Sequence, residues 1–115
     1  MTYDIPSHIS GDTWTGIGAI TLNESGYPVD LTDCKIYIQF RYNYNLASPV
    51  VYECSTENDT ILIVNPLSGI LSIPEQMVNI PVGKYSYDLV VNNITFNKIK
   101  TYLSGIWEIL PRTTR

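Results

Sequence analysis

The chain has 115 residues and a mass of 13.0 kDa, with 44% hydrophobic and 16% charged residues, which is the size of one domain and excludes a wholly disordered chain. Its net charge of −4, its pI near 4.7 and the scatter of its Lys and Arg residues speak against nucleic acid as a partner, because affinity for phosphate needs clustered cations. No apolar run approaches the ~18 residues of a membrane span, and Met1 to Asp4 lacks the basic and apolar regions of a signal peptide. The expectation is a protein made in the cytoplasm, with no membrane partner.

Residues 1–10 read as an N-terminal arm that holds the single histidine, His8. From Trp14 to Leu22, Trp14, Ile20 and Leu22 fall in phase for a strand, and Gly16 and Gly18 leave room for close packing or a bulge. Glu24-Ser-Gly-Tyr-Pro28 ends it. Pro28 to Asp33 forms a corner in which Asp30 and Asp33 can bond nearby backbone N–H groups while Val29 and Leu31 turn inward.

The clearest alternation runs from Cys34 to Tyr42. Cys34, Ile36, Ile38, Phe40 and Tyr42 share one face, and Lys35, Tyr37, Gln39 and Arg41 share the other. Nine tyrosines exceed what one core requires, and Tyr suits a surface that is both apolar and wet. Tyr37, Gln39 and Arg41 on the polar face, with Tyr42 and Tyr44 leading into an Asn-rich loop, are therefore the candidate protein interface.

Two short β-rich runs follow, Pro49 to Ser55 and Thr60 to Val64, on either side of the polar turn Thr56 to Asp59. Asn65-Pro-Leu-Ser-Gly69 reverses the chain into Ile70 to Ile73. Pro74 to Asn79 is the one stretch that suits a helical turn, with Pro74 at a first helical position and Met77 reaching back to the core. In Gly83 to Val91, Tyr85, Tyr87, Leu89 and Val91 alternate against Lys84, Ser86, Asp88 and Val90, and Asn92-Asn93 offers a hairpin turn. Thr95 to Leu103 and Gly105 to Leu110 complete the pattern, with a bulge expected at Gly105 and a flexible tail over 111–115.

Short strands, frequent turn signals and no long helix describe an all-β domain spanning 1–115. The expected form is an immunoglobulin-like β-sandwich of about 7–8 antiparallel strands with one short helical turn. Cys34 and Cys54 lie on successive strands, and free buried thiols are expected over a disulfide. The sequons at Asn23, Asn58 and Asn93 are what chance supplies in a chain rich in Asn, Ser and Thr.

Groups able to do covalent chemistry are not gathered. His8 has no nucleophile motif beside it, and no CxxC, HExxH, GxGxxG or Walker sequence occurs, so no enzyme activity, cofactor or metal is expected. Asp30, Asp33, Asp59 and Asp88 are not spaced as a calcium loop. Glu53 and Glu108 read as solvent-facing strand residues rather than a glycosidase acid pair, and Trp14 and Trp107 read as core fillers rather than sugar platforms.

Six segments follow one another across almost the whole chain: Gly11-Asp-Thr-Trp-Thr-Gly16, Gly26-Tyr-Pro-Val-Asp-Leu-Thr32, Ile36-Tyr-Ile-Gln-Phe-Arg41, Asn65-Pro-Leu-Ser-Gly69, Pro81-Val-Gly-Lys-Tyr-Ser-Tyr-Asp-Leu89 and Thr101-Tyr-Leu-Ser-Gly-Ile-Trp107. Together they resemble the small β-sandwich domains of tailed-bacteriophage structural proteins, including the N-terminal domain type of upper-baseplate proteins. The resemblance implies a virion protein, assembled in the host cytoplasm, that docks on capsid or tail and baseplate proteins and forms homo-oligomers, as a head decoration, head-fibre base or tail adapter. It implies no catalytic residues, and no receptor-binding module is expected after Arg115. From a different class, a carbohydrate-binding module would use exposed aromatics such as Trp107 or Tyr44.

Overall fold

Alternating inward and outward side chains set the architecture. A computed structural model describes residues 3–42 and 48–113, and every regular element among them is a strand. In chain order these are β1 (Ile5–Ile9), β2 (Thr13–Trp14), β3 (Ile17–Thr21), β4 (Asn23–Glu24), β5 (Tyr27–Pro28), β6 (Cys34–Arg41), β7 (Tyr52–Ser55), β8 (Leu62–Asn65), β9 (Ile70–Ile73), β10 (Gln76–Met77), β11 (Gly83–Asn93) and β12 (Lys98–Leu110).

The main sheet has the order β1-β12-β11-β6-β7. A three-stranded sheet β3-β9-β8 and the small pairs β2–β10 and β4–β5 complete a sandwich-like all-β fold. Ile36, Ile38 and Phe40 of β6 and Tyr85, Tyr87, Leu89 and Val91 of β11 are buried, as the alternation requires. They join Leu71 and Ile73 of β9, and Leu22, Leu31, Ile61 and Val78 from the connections, in one apolar core. Trp107 sits within it against Trp14 (ring centroids 4.7 Å) and Phe40 (4.8 Å), and its indole N–H donates to the Pro6 carbonyl at 3.1 Å. Both tryptophans are core residues, as the sequence suggests.

Local turn chemistry follows the sequence closely. The Asp30 carboxylate accepts from the Thr32 N–H at 2.9 Å, and Asn65 Oδ1 accepts from the Ser68 N–H at 3.2 Å to shape the reversal before Gly69. Ser25 and Gly26 both take positive φ, the conformation of a tight two-residue hairpin, and they join β4 to β5. A bulge between Ile17 and Ile20 in β3 lies where Gly18 was expected to permit one.

Five expectations are corrected. Pro74 to Asn79 is not helical: β10 pairs antiparallel with β2, Gln76 opposite Trp14 and Met77 opposite Thr13. The period-two burial of Val78 and Ile80 outweighs the local helix cue at Pro74, and Met77 points to solvent. The sheets are not antiparallel throughout, because residues 5–9 of the supposed arm form β1, parallel to β12. There are twelve strands among the described residues rather than 7–8, several being two-residue pairs that no alternation reveals. The turn of the β11–β12 hairpin falls over 94–97, with Asn97 at positive φ, while Asn92 and Asn93 remain in the strand. The bulge in β12 is at Tyr102, since Leu89 faces Leu103 and Val90 faces Thr101. Gly105 serves another purpose: a Cβ there would stand 2.0 Å from the Tyr3 carbonyl oxygen, so its missing side chain admits the N-terminal segment.

Cys34 and Cys54 are free thiols. Cys54 faces Ile38, whereas Cys34 lies at the other end of β6, opposite Asn93. Burial pushes the Cys54 thiol up to about 12 from its ordinary 9.0, and the phenolic hydroxyl of half-exposed Tyr52 up to about 12 from 10.0. On raising the pH, the unfolded chain gives up these protons before the folded one does. The stability they contribute is complete below pH 9 and is lost as the pH rises towards about 12, by up to ~1.4 kcal/mol per pH unit for Cys54. Urea melts at pH 8, 10 and 11 should show this fall, and Cys54→Ala should flatten it.

Candidate interaction surfaces

The outward face of β6 brings Tyr37, Gln39 and Arg41 together, as the alternation foretold, but their polar groups are largely engaged with neighbours. Gln39 Nε2 donates to Glu53 Oε2 on β7 at 2.7 Å, and Arg41 Nη2 donates to Gln39 Oε1 at 3.0 Å. Arg41 Nη1 donates to the Ser48 carbonyl. The Tyr37 hydroxyl donates to Glu57 at 3.3 Å, and Lys35 pairs with the same carboxylate at 2.6 Å. The bond and charge of Lys35 hold Glu57 below the usual carboxylate range, and Glu57 in turn raises Lys35. All three candidates are half-buried, so this face is a polar patch whose side chains are already hydrogen-bonded to their neighbours.

Tyr42 belongs elsewhere. Its exposed ring lies 4.8 Å from that of Tyr85, whose hydroxyl donates to the Pro81 carbonyl and lies 3.3 Å from the Tyr42 hydroxyl. Burial and the Tyr42 contact raise Tyr85 above the ordinary tyrosine value. Tyr42 therefore covers one end of the core and is separate from the Tyr37 patch. Tyr44 lies outside the described residues.

The most exposed apolar cluster was not singled out from the sequence. At the tip of the β11–β12 hairpin, Ile94, Phe96 and Ile99 are 52%, 70% and 70% exposed. The tip is held in shape: the Ile94 N–H donates to the Asp33 carbonyl at 3.1 Å, Thr95 Oγ1 to Asp33 Oδ2 at 3.2 Å, and the Phe96 N–H to Asn93 Oδ1 at 3.1 Å. Beside it the β4–β5 hairpin presents Tyr27, also exposed, and is clamped to β12 where Glu24 takes an ion pair from Lys100 and a hydrogen bond from Tyr102. The Lys100 bond holds Glu24 below the usual carboxylate range. A usable signal was present in the run Asn93-Ile-Thr-Phe-Asn-Lys-Ile99, where large apolar residues sit among turn formers. A strand beginning at Thr95, as expected from the sequence, would not show the exposure of Phe96 in a turn.

The residues weighed for chemistry are dispersed. His8 is buried in β1, its ring 5.8 Å from Trp107, and its Nε2 has no hydrogen-bond partner among the described residues. Glu53 and Glu108 are separated by β6 and β11. Asp30 accepts a local turn bond from the Thr32 N–H, whereas Asp33, expected to bond a nearby backbone N–H, accepts from the Thr95 hydroxyl of the β11–β12 turn, and among the described residues no three of His, Cys, Asp and Glu are placed to hold a metal ion. No helix among the described residues is long and apolar enough to cross a membrane. No protein-family model and no curated protein matches the chain.

Proposed function

We propose that this chain is a non-enzymatic structural protein of a tailed-bacteriophage virion, acting as a rigid adapter or decoration that docks on capsid or tail and baseplate proteins. The observation that carries the docking reading is the hairpin tip. Exposed Ile and Phe side chains on a turn tied to the body at Asp33 lose little entropy on association, and such preorganised apolar anchors are what binding hot spots are made of. The order of sequence motifs supplies the virion setting. Tyr37, Gln39 and Arg41 form a second, weaker contact face, since replacing their mutual bonds by new ones gains little.

Light scattering on the purified chain, alone and with candidate capsid and tail proteins of the same virion, tests the proposal. A stoichiometric complex with one of them is expected. Phe96→Asp should weaken it about thirtyfold, equivalent to the loss of an anchor of about 2 kcal/mol, while Tyr37→Ala with Arg41→Ala should weaken it less, with the fold retained in both. A chain that binds none of these proteins, or a complex indifferent to Phe96→Asp, would overturn the docking reading. Glycan binding by that chain would point to a carbohydrate-binding module instead.

A further inference from the structure

The β8–β9 hairpin lies in the longest uncharged stretch of an acidic protein. From Thr60 to Ile73 no Asp, Glu, Lys, Arg or His occurs, in a chain of net charge −4. β8 is the edge of its sheet, paired with β9 on one side and with no other strand among the described residues. Its alternate backbone N–H and C=O groups therefore face outward, as in any edge strand. Leu62 is 45% exposed, Val64 60%, and Leu67 in the following turn 72%. Of the devices that protect edge strands, β8 lacks charge and internal proline and has only its shortness and a bulge.

We propose that β8 is a self-association edge, on which the β8 strand of a second copy pairs antiparallel about a two-fold axis near Ile63. Several observations favour a second copy as the occupant. Two copies of an acidic chain repel wherever their charged surfaces meet, and the uncharged hairpin is a surface on which they can approach without that penalty. An antiparallel two-fold pair is isologous, so each copy supplies the donors and acceptors that the other needs. In this register Leu62 of one copy lies opposite Val64 of the other, which covers both exposed side chains. The open edge is also short: Val64 is the extra residue of a bulge between the Ile63–Leu71 and Asn65–Ile70 pairs, and Pro66 follows. Such a length suits a closed pair and discourages a continuous fibre. The pairing adds a self-contact surface to the assembly proposed above, and it stands on the β8 edge without the hairpin tip.

Sedimentation of the full chain over a wide concentration range tests this. Wild type should pass from 13.0 kDa to twice that mass. A variant with Leu62→Lys and Val64→Lys, and another with Leu62→Glu and Val64→Glu, should each pair about tenfold more weakly or worse while keeping the wild-type circular dichroism, since both side chains point to solvent. An equimolar mixture of the two should regain pairing, because opposite charges then face each other. Phe96→Asp should leave self-association unchanged, which separates failure of this edge from failure of the docking tip. A wild-type chain that stays at 13.0 kDa, lysine or glutamate variants that pair as wild type does, or a mixture that stays monomeric would overturn the proposal.

Discussion

Trp107→Ala is expected to remove about 3–5 kcal/mol of folding stability, measured by urea denaturation at neutral pH. The indole is fully buried, packs against Trp14, Phe40 and His8, and donates to the Pro6 carbonyl. Removing it leaves a cavity that the flanking strands cannot close, because β11 and β1 hold β12 on both sides. A domain of this size has only about 5–15 kcal/mol in total, so the variant should lie near the edge of unfolding. Trp107→Phe should lose less, retaining much of the apolar contact while leaving the Pro6 carbonyl without its donor. If Trp107→Ala melted within about 1 kcal/mol of wild type, the packing described for the core centre would be wrong.

Gly16→Ala is the second large effect, with an expected loss of about 3 kcal/mol or more, against almost none for Gly18→Ala two residues away. Gly16 has φ of +75°, and a Cβ would stand 2.0 Å from the Ile73 carbonyl oxygen and 2.8 Å from that of Pro74. Both contacts are backbone atoms at the link between β9 and β10, so relief requires moving the chain itself. Around Gly18 a Cβ would meet nothing within 4 Å. Thermal melts of the two variants side by side separate strain from loss of glycine as such. Equal effects would exclude the close approach of the β2–β3 link to Ile73.

The candidate interface was legible in part. Tyr37, Gln39 and Arg41 share a face because side chains alternate along a strand, and that relation needs only the sequence. Their mutual bonding was not legible, because Glu53, Ser48 and Glu57 come from chain that returns beside β6 only after a loop. The hairpin tip was missed for a related reason: whether Phe96 is covered or exposed depends on where the β11–β12 turn falls, and that is set by the register of two long strands.

By itself, the sequence determined the all-β class, the inward faces of β6 and β11, the burial of both tryptophans and the turns at Asp30 and Asn65. These rest on period-two alternation and on side chains bonding backbone within a few residues, both of which are local. The tertiary structure alone decided that β1 runs parallel to β12, that residues 76–77 form a strand against β2, that Tyr102 forms the bulge and that β8 is left at an edge. Each of these depends on pairing between segments distant in the chain, Ile5 with Trp107 and Trp14 with Gln76 among them. Such pairing is selected by the burial of the whole core, which no short window of residues encodes.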